Sequence, residues 1–262
     1  MRRPGDAIRQ RRRRRPERRH PFQAARPRPE IAVRSLAAQM SGRSFFAAGL
    51  SHAAYRQGHG RLGDFTEGVY HASIRRSDER VEGKLWRDGR MGPYDIRVTK
   101  IASLSRDTAG QLRVRYELDR LPAGLPIHFA VEFNFAAMPA GASDRYYYDD
   151  RGRRLGPLET VQDLANISRF GLVDEWLGLD VSLELSEPAG LWTEPIQTVS
   201  QSEGGFELVH QSSSTTPHWE FMAPADGRWN VEITLTLDMS AAQAKQLADA
   251  PAPRRRQTAG AL

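Results

Sequence analysis

From Val69 onward, apolar and polar residues alternate with a period of two. Ile127, Phe129, Val131, Phe133 and Phe135 fall on one side of an extended segment, and His128, Ala130, Glu132 and Asn134 on the other. The same alternation sets Leu112, Val114, Tyr116 and Leu118 against Arg113, Arg115, Glu117 and Asp119. It recurs in Leu179, Val181, Leu183 and Leu185, and in Val231, Ile233, Leu235 and Leu237. Shorter strands are expected over residues 69–75, 80–86, 96–104, 199–202, 206–211 and 219–222. Turn signals separate them at Arg87-Asp88-Gly89 and at residues 107–110, 150–152, 203–205 and 226–227. Many strands, each with one polar face, predict antiparallel sheets packed as a β-sandwich, an all-β fold. No long amphipathic helix interrupts them, which argues against βαβ units.

The ends of the chain break this pattern. Residues 1–57 read as an Arg- and Pro-rich arm, with Arg11 to Arg15 in one block and a weak helical periodicity over 31–55 (Leu36, Met40, Phe45, Phe46, Leu50). Like charges repel and proline interrupts periodic structure, so most of this arm is expected to be disordered. Three readings stand for it: a nucleic-acid-binding or targeting arm, a solvated tail, or an out-of-frame translation of GC-rich DNA. Residues 58–240 form the expected sandwich domain. Residues 241–262 are expected to give a short helix and a disordered tail.

Charge follows the same division. The chain carries +6, but residues 1–35 hold 13 Arg against Asp6, Glu17 and Glu30, and the last 22 residues are also basic, which leaves the middle at −7. An acidic globular part argues against nucleic-acid binding by the fold itself. Five Trp and ten Phe supply a sizeable core, and cysteine is absent. Without Cys there are no disulfides, thiolate metal sites or Cys nucleophile, which suits a cytoplasmic location. No apolar run is long enough to span a membrane, and no secretory signal follows the basic start. His128, His210 and His218 lack metal-ligand spacing, so no metal and no cofactor are expected.

Several stretches are specific: residues 64–70 (DFTEGVY), 132–135 (EFNF), 144–148 (DRYYY), 172–178 (LVDEWLG), 192–207 (WTEPIQTVSQSEGGFE) and 219–221 (WEF). In this order and spacing they resemble the C-terminal domain of glycoside hydrolase family 57 α-amylases and 4-α-glucanotransferases, over about residues 58–237. The resemblance implies a mutarotase-like β-sandwich seated against a (β/α) barrel that holds a catalytic Glu and Asp. It also implies α-glucan chemistry, an intracellular location and the possibility of homo-oligomers. About sixty residues precede the matching region, against several hundred expected for the barrel. The expectation is therefore a truncated or split enzyme, inactive alone, whose partner is an α-glucan or a separate family 57 barrel.

No position matches the barrel's catalytic pair, so no catalytic residue is assigned. The candidates for carbohydrate or interdomain contact are His128, Glu132, Asn134, Asp174, Glu175, Trp176, Trp192, Glu194, Gln201 and Glu203. Trp rings stack on the apolar faces of sugars while carboxylates and amides accept and donate at hydroxyls; the alternative for each Trp is core packing. His128, Glu132 and Asn134 share one polar strand face, which fits either a sugar-lined surface or an ordinary wet face. Gln201 and Glu203 flank a Gly pair that suits a tight hairpin or an interdomain cleft. Trp176, Trp192, Glu194, Gln201 and Glu203 are expected to rim one partner-facing patch. A stand-alone mutarotase-like enzyme using His128 and Glu132 is the competing reading, and a nucleic-acid-associated protein using the Arg arm is a third.

Overall fold

The structure is a computed structural model that describes residues 45–66, 68–136, 141–202 and 205–248, with side chains at all of these except 200–202, 205–207 and 245–248. In chain order the elements are β1 (Phe45–Phe46), α1 (His52–Arg56), β2 (His71–Arg76), β3 (Arg80–Met91), β4 (Tyr94–Ser105), β5 (Gln111–Asp119), β6 (Pro126–Ala130) and β7 (Phe133–Ala136). They continue with β8 (Arg145–Asp149), β9 (Arg154–Pro157), β10 (Gln162–Asp174), β11 (Leu179–Ser202), β12 (Gly205–Met222), β13 (Trp229–Asp238) and α2 (Ser240–Ala248). All strand pairs are antiparallel, in the order β1-β6-β12-β11-β13-β5-β4-β3-β2, with β10, β8 and β9 continuing from β11 and β7 from β12. No described helix is long and apolar enough to cross a membrane.

The path curls into a sandwich because one strand serves two neighbours. The start of β11 pairs with β13 through Leu185↔Ile233, and its later part pairs with β12 from Gly190↔His218 onward. Between these points the strand passes from one layer to the other. Ile96, Val98, Val114, Tyr116, Val231 and Ile233 thus face Ile127, Phe129, Phe133 and Trp219 across one continuous core. Phe129 sits at its centre, with ring centroids 5.6 Å from Tyr116 and 5.7 Å from Trp229. A second, smaller core packs Tyr147, Leu158, Phe170 and Leu172 onto Leu191.

The domain begins earlier than Gly58. Phe45 and Phe46 pair with Phe129 and His128, and both rings are buried, as is Tyr55. Phe45 packs 5.3 Å from both Phe65 and Phe129. Of the segment expected to carry a weak helix (31–55), residues 31–44 lie outside the described residues; in the remainder, residues 45–46 are strand and α1 is a single turn. Ser51 caps it by accepting the Ala54 N–H at 3.3 Å, and Gly58 (φ 78°) ends it by donating to the Tyr55 carbonyl. Residues 1–44 and the tail beyond 248 lie outside the described residues, so the arm and tail readings are not addressed there.

Three local expectations also fail for definable reasons. Arg87-Asp88-Gly89 is not a turn but lies inside β3; the turn falls at Gly92 (φ 58°) and Pro93. Asp88 is there as a cross-strand partner of Arg97, and Gly89 because a Cβ would come within 2.9 Å of the Phe65 ring. The single strand expected over 127–135 is two, because Val131 lies opposite Pro217, which has no N–H to return to the ladder. The separate short strands at 199–202, 206–211 and 219–222 are parts of two long ones, 24 and 18 residues in length. The polar run 212–216 between them is buried strand, with Ser213 donating to the Leu158 carbonyl.

Candidate functional site

Trp192 organises the most chemically dense part of the fold. β11 places it opposite Thr216, and α1 lies over it. His218 stacks on one side with centroids 3.9 Å apart, and His52 lies parallel at 5.4 Å, tilted by only 2°. Tyr55 packs at 4.6 Å, and His128 meets the ring edge-on at 5.6 Å. The indole N–H donates to Asp163 Oδ1 at 3.1 Å. His218 reaches Trp192 because Gly190 opposite it carries no side chain; a Cβ there would come within 2.3 Å of the imidazole.

A polar rim surrounds this cluster. The Tyr55 hydroxyl donates to Glu132 Oε2 at 3.4 Å and lies 3.2 Å from the Thr216 hydroxyl, and Asn134 Nδ2 donates to Glu132 Oε1 at 2.9 Å. Arg56 pairs with Glu194 at 3.3 Å. His128 Nε2 lies 3.1 Å from His218 Nδ1, while His128 Nδ1 lies 3.3 Å from Glu220 Oε1, in ion-pair range without hydrogen-bond alignment. Burial pushes the His218 pKa down to about 3, with His128 and His52 adding to the effect. Burial also lowers His128, opposed by the Glu220 carboxylate and the Ala47 backbone, and lowers His52, opposed by Asp163. At neutral pH the three imidazoles are therefore uncharged.

Of the ten candidates, His128, Glu132, Asn134, Trp192 and Glu194 converge here. Trp192 is only 2% exposed, so it is not a partner-facing ring; its role is to anchor α1 on the sheet. His128 is buried as well, facing His218 and Glu220, whereas Glu132 turns to Tyr55 and Asn134. Phe46 packs on His128, whose side chain is wholly buried, so the acid and base of a mutarotase-like site do not meet on an open face.

The remaining candidates lie elsewhere. Asp174 is fully buried at the end of β10, where Arg145 Nε bonds it at 2.9 Å and the Leu177 N–H donates to it at 2.9 Å. It is a turn anchor, not a surface acid. Glu175 is exposed and Trp176 is 67% exposed, in the turn before β11. Trp176, Trp192 and Gln201 thus sit before, midway along and near the end of one 24-residue strand, and no single patch contains them. Gln201 pairs with Phe206 through its backbone; its side chain and all of Glu203 lie outside the described residues. Among the described residues no three His, Asp or Glu side chains gather as metal ligands.

Sequence reasoning missed His52, Tyr55, His218 and Glu220. His218 and Glu220 share the face of His128 only through the register His218↔Ala130 and Glu220↔His128, which no local pattern encodes. The one available signal for α1 was the Ser51 cap ahead of Tyr55.

The chain is an all-β antiparallel sandwich with a buried His-Trp-Tyr cluster on one layer. The crystal structure of 4-α-glucanotransferase from Thermococcus litoralis superposes on it with a TM-score of 0.56 at 23% identity, over 74% of this chain and 26% of that one. A putative aldose 1-epimerase from Escherichia coli K12 aligns more weakly (TM-score 0.45, 14% identity, 76% and 80% of the two chains). The family described as alpha-amylase/4-alpha-glucanotransferase, C-terminal, matches residues 39–233, and the chain belongs to it. An α-amylase of Pyrococcus horikoshii is 27% identical over 175 residues, which are 66% of this chain and 22% of that protein. The chain thus spans about a quarter of the length of the Pyrococcus α-amylases and of the 4-α-glucanotransferase.

Proposed function

We propose that this domain is the non-catalytic sandwich of an α-glucan-acting enzyme and works by seating against a catalytic barrel. The observation that carries this is the family match over 39–233, a C-terminal domain in relatives about four times its aligned length. The site chemistry agrees. Glu132 is held by Tyr55 and Asn134 and Glu194 by Arg56, so these carboxylates are committed to binding the domain's own groups. Glycoside chemistry needs two carboxyls facing each other across an open cleft.

The contact is assigned to the long β11–β12 hairpin. Val199 and Leu208 face each other across it, 66% and 68% exposed. Paired apolar side chains on an extended hairpin fit a large partner surface better than solvent. In sedimentation velocity, this chain and a separately produced family 57 barrel should form a 1:1 complex that Val199→Asp with Leu208→Asp abolishes. Two independent species would count against the reading; a complex indifferent to the double variant would move the interface elsewhere.

A further inference from the structure

A groove of about 340 Å³ opens where β11 leaves β13 for β12. Its walls come from four strands. The crossing segment contributes Glu187 and Gly190, β12 contributes His218, Glu220 and Phe221, and β13 contributes Trp229. Asn166 closes it from a β10 bulge, in the left-handed region at φ 57°. Asn tolerates that conformation better than most residues, so the bulge, and the opening beside it, persist at small cost.

The floor is built and rigid. Phe221 and Trp229 stack at 4.5 Å, tilted by 16°, and tie β12 to β13. The Trp219 indole donates to the Glu187 carbonyl at 3.0 Å, which fixes the crossing segment. Polar groups also border the groove. The Glu220 carboxylate is about half exposed and directs only Oε1 toward His128. Glu187 and Asn166 are also exposed. His218 Nε2, in the wall against Gly190, has no hydrogen-bond partner.

We propose that this groove is a binding subsite for a glucosyl unit of an α-glucan. The apolar face of a pyranose fits against Phe221 and Trp229, and its vicinal hydroxyls donate to Glu220 and Glu187 and exchange hydrogen bonds with Asn166. The volume lies at the lower end of small-ligand sites, which suits one or two sugar rings rather than a long chain in section. The proposal rests on the α-glucan reading, but not on the barrel contact, which lies on another part of β11 and β12.

The test is a titration of the full chain with maltotriose, followed by the indole N–H resonances of its tryptophans. Trp229 and Trp219 should shift with saturable dependence on millimolar sugar, while Trp176 and Trp86 stay in place. Glu220→Gln and Glu187→Gln change exposed groups and leave the fold intact; each should weaken binding by about tenfold, the loss expected for a charge-assisted hydrogen bond. Absence of saturable shifts would overturn the subsite. So would binding unchanged in both variants, although that result would leave the glucan reading standing. Failure of the barrel to associate would instead remove the barrel contact and leave the groove untouched.

Discussion

A chain starting at Gly58 should fail to fold stably, whereas one starting at Gln39, where the family match begins, should melt cooperatively. The shorter chain lacks Phe45, Phe46 and Tyr55, whose side chains are 1%, 2% and 1% exposed. It also loses the strand that pairs with β6 and the turn of helix that covers Trp192. Truncating one buried aromatic residue costs roughly 3–5 kcal/mol, against a typical total stability of about 5–15 kcal/mol. Losing three together, about 9–15 kcal/mol, is comparable to the whole stability that a domain normally holds. Circular dichroism melts of the two chains decide it. A midpoint shared by both would show that the segment is an ornament on the core.

Lys100→Met should stabilise the domain at pH 7, and the gain should fade in alkaline solution. Lys100 points from β4 into the main core and is 2% exposed. Its ammonium lies 4.6 Å from the centre of the Tyr70 ring and 5.9 Å from that of Tyr116, and burial pulls its pKa down to about 8. The aromatic faces offset only part of the desolvation. Below pH 8 the lysine is charged in both folded and unfolded chains, so the folded state carries the full cost, on the order of 3 kcal/mol. Between pH 8 and the ordinary lysine pKa the unfolded chain binds more protons, so native stability rises with pH. Above that range the cost is gone. Urea titrations of both proteins at pH 7 and pH 10.5 should show a large difference that shrinks. A constant difference would assign the effect to shape and packing instead of charge.

The fold class was legible because alternation survives wherever one face is wet. Leu112 to Leu118 and Val231 to Leu237 announce their strands, and the structure pairs them with each other. What alternation cannot carry is register, and register made the site. Glu220 falls opposite His128, and Gly190 opposite His218, only through pairings between residues far apart in sequence. The same limit explains Trp192. An indole in a Pro-flanked polar stretch looks exposed, yet α1 arrives from more than a hundred residues upstream and covers it. Residues that break the alternation escape a sequence reading for a different reason. Lys100 and Asp174 are charged side chains at fully buried positions, and the Ser/Thr run 212–216 is a polar strand inside the sheet. Asp174 is tolerable there because Arg145, from another strand, pairs with it.

The most direct test of the account is a reconstitution assay on maltooligosaccharides. A family 57 barrel lacking its own C-terminal domain is assayed alone, with increasing amounts of this chain, and beside this chain alone. The chain alone should give no conversion, and barrel activity should rise saturably with complex formation. Turnover by the chain alone, abolished in Glu132→Gln, would contradict it and place the chemistry on the sandwich itself.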